Sequence, residues 1–484
     1  MEIPDPIDGY ASRRSTVYGT KGVVAASQPL ATQAGLQALR NGGNAFDAAV
    51  TTAAVLSVVE PHSTGVGGDV FALYRSANGD VGAMRSCGRA PVGTDLKSLR
   101  DAFESGDDSP TIPDRGAHAV TAPGTALGWE ATVNELGQRS FADALEPAIE
   151  YATDGFPVTE VIARQWADAA DLLRGENARD VFLVDGRTPN IGEVMRIPEL
   201  GATLKTLAED GADAVYDGPI GTAMIEEVSE RGGSLSREDL QNVDVEWLDP
   251  ISTTYNGAEV YELPPNNQGL VAVEALNIAA ELGAGDYPYM SVDGVHRYVE
   301  ALKLAFHDGH RYVTDPEYED VPPLGSKEYA AERAKSVGHQ AIEDIDVGVP
   351  GTHAPADGDT VLLTVADCQG NVVSYINSIF KWFGSGVVAG DTGVLLQNRG
   401  SSFSLDPDHP NRFEPGKKPF HTLIPAVARL DEDDWLAFGV MGGYMQPQGH
   451  LQVLSGIVDH GLTIQQALDA PRWNYRETGR LSTE

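Results

Sequence analysis

Apolar residues recur at helical spacing over residues 29–40, and the run stops at Asn41-Gly42-Gly43-Asn44, which tolerate left-handed backbone. A second, Ala-rich helix is predicted from Phe46 to Glu60, and two adjoining helices of small residues are expected to pack closely on a sheet. Residues 23–28 and 70–74 read as strands. Helical spacing returns over residues 140–154, 160–174, 199–209, 270–282 and 292–311, the last with Val295, Val299, Leu302 and Phe306 on one face. From Thr360 onward the pattern changes to short β-branched runs. Strands are predicted at 360–366, 372–379, 386–389, 393–397, 423–429 and 435–440, with helices at 448–458 and 464–468. Helices flanking a strand-rich core predict a layered α+β or α/β fold.

Composition narrows the class. The 484 residues, 42% hydrophobic and 22% charged, are those of a globular protein able to bury a large core. No apolar run reaches the ~20 residues that a membrane helix requires. The N-terminal residues are acidic and lack the basic and apolar regions of a signal peptide, so a cytoplasmic chain is expected. Only Cys87 and Cys368 carry thiols, which excludes a disulfide framework and a thiolate metal site. His307 and His310 are spaced by three with no third ligand near, and they read as a solvated helix end rather than a metal pair. The 71 acidic against 34 basic residues give a net charge of −37, a field that repels nucleic acid and anionic membranes. The acidic residues are spread along the chain, as suits a protein dissolved in concentrated salt, where screening removes most self-repulsion.

Candidate chemistry centres on Thr360. Residues 347–359 carry few regular-structure signals and end in Asp357-Gly358-Asp359. Thr360 then heads an apolar run that turns at Cys368-Gln369-Gly370-Asn371 and returns over 372–380 as a hairpin. A flexible loop feeding a Thr at the head of a buried strand is the layout an autoprocessing N-terminal nucleophile requires. The hydroxyl attacks the preceding carbonyl, the chain breaks, and the freed α-amine becomes that hydroxyl's base. An ordinary loop end has the same appearance, so this stretch alone leaves both readings open. Gly65-Val66-Gly67-Gly68 precedes a strand, the wrong order for a dinucleotide fingerprint, and reads as a tight turn or a backbone lining a cavity.

Ordered motifs extend nearly end to end: Ala25-Ala26-Ser27-Gln28-Pro29, Gly42-Gly43-Asn44-Ala45-Phe46-Asp47, Glu60-Pro61-His62-Ser63-Thr64-Gly65, Ala122-Pro123-Gly124-Thr125, Glu300-Ala301-Leu302-Lys303, Gly384-Ser385-Gly386 and Ala470-Pro471-Arg472. On these the chain resembles the γ-glutamyltranspeptidase family of N-terminal nucleophile hydrolases. The resemblance implies a four-layer αββα sandwich. It also implies a precursor cut between Asp359 and Thr360 into a large subunit (1–359) and a small subunit (360–484) that stay together as a heterodimer, and it implies no cofactor. By position, Thr360 matches the nucleophile, and Ser378 the hydroxyl that hydrogen-bonds it. Gly442 and Gly443 match the pair whose N–H groups form the oxyanion hole. His421 and Thr422 fall where a Ser-Ser pair holds the donor's α-carboxylate.

The departures are as informative. In glutathione-using members a Glu and an Asp receive the donor's α-ammonium, and the matching positions here are Arg399 and Ser402. An ammonium facing Arg would be repelled, so the pocket suits an anion or a neutral group. Phe380 replaces a substrate-binding Asn. Cys87 occupies the position of the carboxylate-binding Arg, with Arg89 two residues later as either that reader or a surface charge. These changes resemble the acylase and amidohydrolase branch. The family also continues beyond the position of Glu484, so a truncated C-terminal part is expected. The expected activity is hydrolysis or transfer of γ-glutamyl amides of the glutathione type. The alternatives are cleavage of glutaryl or oxamic mono-amides, and a non-catalytic binding relative. The charge balance carries its own test: the chain should unfold on dialysis to low salt and regain its circular dichroism in molar salt, whereas equal stability at both would mark an acidic protein of ordinary habitat.

Overall fold

The computed structural model describes residues 14–104, 110–342, 360–476 and 480–484. Strands β1 (Gly22–Ala26), β2 (Asp69–Arg75), β3 (Val81–Ser86), β4 (Val245–Leu248), β7 (Val361–Asp367) and β8 (Val372–Ser378) form one antiparallel sheet in the order β1-β7-β8-β2-β3-β4. Strands β5 (Ile251–Tyr255), β6 (Ala258–Glu262), β9 (Ala426–Arg429) and β10 (Trp435–Phe438) form a second, in the order β10-β9-β6-β5. Phe71, Leu73, Ile376, Leu423 and Val427 fill the space between the sheets. Alternation then sends Val70, Val361, Leu363 and Tyr375 to the opposite face, under α1 (Pro29–Arg40), α2 (Ala45–Val59), α3 (Thr125–Leu136) and α4 (Phe141–Asp154). The second sheet is covered by α5 (Gly269–Glu281), α6 (Val292–Tyr312) and α7 (Met445–Val458). The expected four-layer αββα sandwich is the observed fold.

Helix α2 is buried along its whole length. Small side chains make that possible, and at Gly35 in α1 a Cβ would run into the Thr52 hydroxyl of α2. Its first turn is held by a capping box, in which Asn44 accepts from Phe46 N–H and Asp47 accepts from Asn44 N–H at 2.8 Å. Asp47 also accepts from the N–H groups of Gln138 and Arg139, joining α2 to the turn between α3 and α4.

Several sequence expectations need correction. Residues 386–389 and 393–397 are not ladder strands; they meet in the isolated bridge Val388↔Leu395, and Leu396 makes a second isolated bridge to Gly67. The strand expected from 423 begins at Ala426, because Leu423 N–H is given to His421 Nδ1 and Ile424 N–H to Gln446 Oε1. The helix over 160–174 ends at Ala169 and tightens to a 3₁₀ turn at Ala170–Leu172. His310 is not solvated but buried among Phe306, Phe420 and Tyr444. Helix α3 and the hairpin β5–β6 were not marked by the apolar pattern. Among the described residues no helix is long and apolar enough to cross a membrane.

The turn before β2 is tightly constrained. A Cβ on Gly68 would run into the Ser378 carbonyl, whereas one on Gly65 would meet open space. Gly68→Ala is expected to lower stability by about 1–3 kcal/mol through overpacking, and Gly65→Ala to stay within about 0.5 kcal/mol of the parent. Denaturant midpoints of the two variants check this.

Candidate active site

The register of the central strands builds the site. Asn377 lies opposite Val361, so one more step sets Ser378 opposite Thr360, while on its other edge Ser378 pairs with Asp69. Continuing past Val70↔Ser86 brings Cys87 opposite Asp69. Thr360, Ser378, Asp69 and Cys87 therefore form one row across β7, β8, β2 and β3. They share the face that looks into the space between the sheets, and all four are buried. The Thr360 hydroxyl donates to Ser378 Oγ at 3.3 Å, and Ser378 Oγ also accepts the Phe380 N–H at 2.7 Å.

Phe380 leads from this row to a buried cation. The Arg399 guanidinium lies over the Phe380 ring with its central carbon 4.1 Å from the centroid. Its Nη1 donates to Thr422 Oγ1 at 2.9 Å. Among the described residues Nε and Nη2 have no hydrogen-bond partner, although the side chain is fully buried. Buried arginines are ordinarily paired, so this one is unusual in resting on a π face and a hydroxyl. Burial lowers its pKa to about 10, with Asp69 and Cys87 acting in the opposite sense, and the group stays charged at neutral pH. Ser402, in the same 3₁₀ turn Arg399–Ser402, has a buried hydroxyl with no partner among the described residues.

The opposite wall is polar but engaged. Asp69 accepts from His421 Nε2 (3.1 Å), Gln397 Nε2 (3.0 Å) and Gly124 N–H (3.1 Å). Because Leu423 N–H points at His421 Nδ1, the proton of the neutral ring sits on Nε2 and is donated to Asp69. Burial, then the fields of Arg399 and Arg85, hold the His421 pKa well below its ordinary value. The contact is therefore a hydrogen bond from a neutral imidazole, not an ion pair. Burial raises the Asp69 pKa to about 7, against the lowering effect of Arg399. The Cys87 thiol is pushed up to about 12 by burial, then by Asp69, and is inert as a nucleophile.

Gly442 and Gly443 precede α7 with φ of 105° and 57°, left-handed values that favour glycine. Their carbonyls accept from Met445 and Gln446 N–H, while among the described residues none accepts from their own N–H groups. Those donors stand at the positive end of α7. Gln268 links this turn to the pocket, its amide nitrogen donating to the carbonyls of Thr422 (2.8 Å) and Gly443 (2.9 Å).

The structure thus gathers Thr360, Ser378, Arg399, Thr422 and Gly443 through one chain of contacts, with Gly442 and Ser402 on the same turns. His421 is adjacent, but both its ring nitrogens are used by the protein. Arg89 stands apart: half-buried, it pairs with Glu317 at 2.9 Å and lies 3.8 Å from Asp315, so its charge is already met. Asp359 lies outside the described residues. Asp69, Gln268 and the ring of Phe380 make contacts that the sequence reading did not assign; Asp69, a carboxylate at the head of the apolar run 70–74, was the available signal.

Residues 31–484 match the family model for gamma-glutamyltranspeptidase. The chain belongs to that family. Among similar proteins, the glutathione hydrolase-like YwrD proenzyme of Bacillus subtilis is 38% identical over 96% of this chain and 86% of its own. The oxamate amidohydrolase proenzyme of Klebsiella pneumoniae is 36% identical over 97% of this chain and 88% of its own. The crystal structure of a cephalosporin acylase from Bacillus halodurans superposes with a TM-score of 0.86 at 40% identity, covering 98% of this chain and 87% of that one. These relatives are enzymes, and so is this γ-glutamyltranspeptidase family member.

The Asp69 pKa sets a pH dependence. A carboxyl raised from 3.8 to about 7 favours the folded state below its unfolded pKa and loses that contribution as pH rises to about 7. Asn at this position does not titrate. Asp69→Asn should therefore gain stability relative to the parent between pH 4 and 7, by at most about 1.4 kcal/mol per pH unit, and hold a constant difference above pH 7. Parallel urea titrations across that range are the measurement.

Proposed function

We propose that this family member is a precursor that cuts itself before Thr360 and then cleaves mono-amides of dicarboxylic acids through an acyl-threonine ester. The observation that carries the substrate class is Arg399, a buried cation whose Nε and Nη2 are unpartnered, beside the unpartnered hydroxyl of Ser402. A carboxylate at the far end of the acyl group would complete that site with charge-assisted bonds. The carboxyl whose field acts on it, Asp69, is held by three donors and titrates near neutrality, which disfavours a donor bearing an α-ammonium.

In the reaction, Thr360 Oγ adds to the amide carbon while its proton passes to the Thr360 α-amine freed by the cut. Ser378 holds that hydroxyl in line, and the N–H groups of Gly442 and Gly443 receive the developing oxyanion. One such donor is typically worth ~10²–10³ in rate. Collapse expels the amine, which takes the proton from the α-amine. Water or a second amine then adds to the ester, gives its proton to the α-amine, and releases the acid or a new amide with the Thr360 hydroxyl restored.

A second reading, γ-glutamyl donors of the glutathione type, is supported by the family and by the glutathione hydrolase-like relative, since Arg399 would equally take an α-carboxylate. Thr422 is proposed to orient Arg399. His421 is assigned the place of holding Asp69 in the pocket wall, and Arg89, paired with Glu317, is given no contact with the donor. The acidic balance supports a cytoplasm of high ionic strength as the working compartment.

Intact mass of the purified protein should give two fragments, the smaller beginning at Thr360, and a single uncut chain for Thr360→Ala. An uncut parent in molar salt would favour a non-catalytic relative. For the processed enzyme, glutaryl p-nitroanilide should be preferred over γ-glutamyl p-nitroanilide. Arg399→Gln should raise KM for the former by about 10–100-fold, the worth of hydrogen bonds to a charged group. Preference for the α-amino donor would select the second reading.

A further inference from the structure

Phe380 has a φ of 81°, a backbone conformation that bulky L side chains rarely adopt. Such a conformation persists where the surroundings over-determine it, and it clusters at functional sites. Here the surroundings are on both sides. The Phe380 N–H turns back onto Ser378 Oγ at 2.7 Å, the atom that also accepts from Thr360. The following residue is pinned by Lys381 N–H to Asn398 Oδ1 at 3.2 Å, and Asn398 N–H returns to the Ile379 carbonyl at 3.3 Å. Between these anchors the chain has one way to place the ring, which is 4% exposed and lies flat beneath Arg399.

The ring is what makes Arg399 available. A carboxylate in its place would pair with the guanidinium and leave nothing for a ligand. An aliphatic side chain would leave the buried charge without a face to rest on. The aromatic quadrupole steadies the cation and occupies none of its N–H groups. Lys381 lies 5.3 Å from the same ring, but it sits 2.6 Å from Asp114, so its charge has a partner and the ring's role for it is secondary.

We infer that Phe380 is a positioning residue that joins donor recognition to the nucleophile. Its N–H fixes the Ser378 hydroxyl opposite Thr360, and its ring holds Arg399 with Nε and Nη2 turned to the donor's carboxylate. This deepens the proposed function and rests on its assignment of Arg399. Left-handed backbone at this position then serves two ends at once, with the N–H on Ser378 Oγ and the ring under Arg399.

The test compares glutaryl and butyryl p-nitroanilides, which are acyl chains with and without the distal carboxylate, on the processed enzyme and three variants. Phe380→Leu and Phe380→Gly keep the N–H and remove the ring, the Gly variant also relieving the φ; Phe380→Tyr keeps the ring. KM for the glutaryl donor should rise about tenfold in the Leu and Gly variants, more than kcat falls, and the glutaryl-to-butyryl ratio of kcat/KM should drop by about the same factor. The Tyr variant should retain the parent KM. Appearance of the two fragments reports that each variant folds, and the Gly variant keeps the test decisive if the Leu variant does not. A parent indifferent to the distal carboxylate would overturn the Arg399 assignment and this inference with it. A parent that prefers the glutaryl donor, with Leu and Gly variants that keep the same preference, would overturn this inference alone.

Discussion

The site depends on the register of β8 between β7 and β2. Side chains on a strand alternate with a period of two, so a slip of one residue would turn Ser378 and its neighbours to the helical face and put Asn377 between the sheets. The register is held by burial on both faces. Tyr375 and Val373 are locked under the α2 layer, Ile376 is locked against Phe71 and Leu423, and Ser374 donates to the Phe438 carbonyl of the second sheet. Asn377 is fixed from the helical side by the indole N–H of Trp129 and by its own donation to the Asp69 carbonyl and Thr125. The hydroxyl row is therefore placed by apolar packing some distance from any reacting atom.

Electrostatics then separates this pocket from one built for an ammonium. A fully buried guanidinium is costly unless its donors are met, and among the described residues just one nitrogen of Arg399 has a hydrogen-bond partner. His421 stays neutral, Asp69 is only partly ionised near pH 7, and Cys87 is a thiol, so the cationic charge is incompletely opposed. Other cations are paired: the buried Arg85 and Lys418 share Glu246, and the half-buried Arg89 takes Glu317.

Much of this was legible in the residues, and the reasons differ by level. The long periodic helices and the 360–379 hairpin follow from apolar spacing, and α2 was foreseen as a close-packed helix because its side chains are small. The runs at 386–397 mislead because β-branched residues there line a loop-rich wall instead of joining a ladder. His310 misleads because a polar residue at the end of an amphipathic helix is solvated by default, and only tertiary packing puts Phe420 and Tyr444 over it. At the site, Thr360, Ser378, Arg399 and the two glycines are identifiable by position. The Asp69–His421 contact spans 352 residues of sequence separation, and nothing local announces it. The use of Phe380 is invisible for another reason: its effect lies in a dihedral angle and a ring face, and letters record neither.

The strand order has one more implication. In the sequence β1-β7-β8-β2, the hairpin that begins at Val361 is hydrogen-bonded along both outer edges to strands drawn from the first hundred residues. A break ahead of Thr360 would leave two polypeptides woven through a single sheet, neither able to leave without opening two rows of hydrogen bonds. Two separately made chains would face the reverse difficulty, since a hairpin would have to enter a slot that exists only once the hairpin is in it. A single uncut chain would avoid that difficulty, since a link before Thr360 would hold the hairpin beside its slot while the sheet closes, and cutting it afterwards would leave both rows of hydrogen bonds in place.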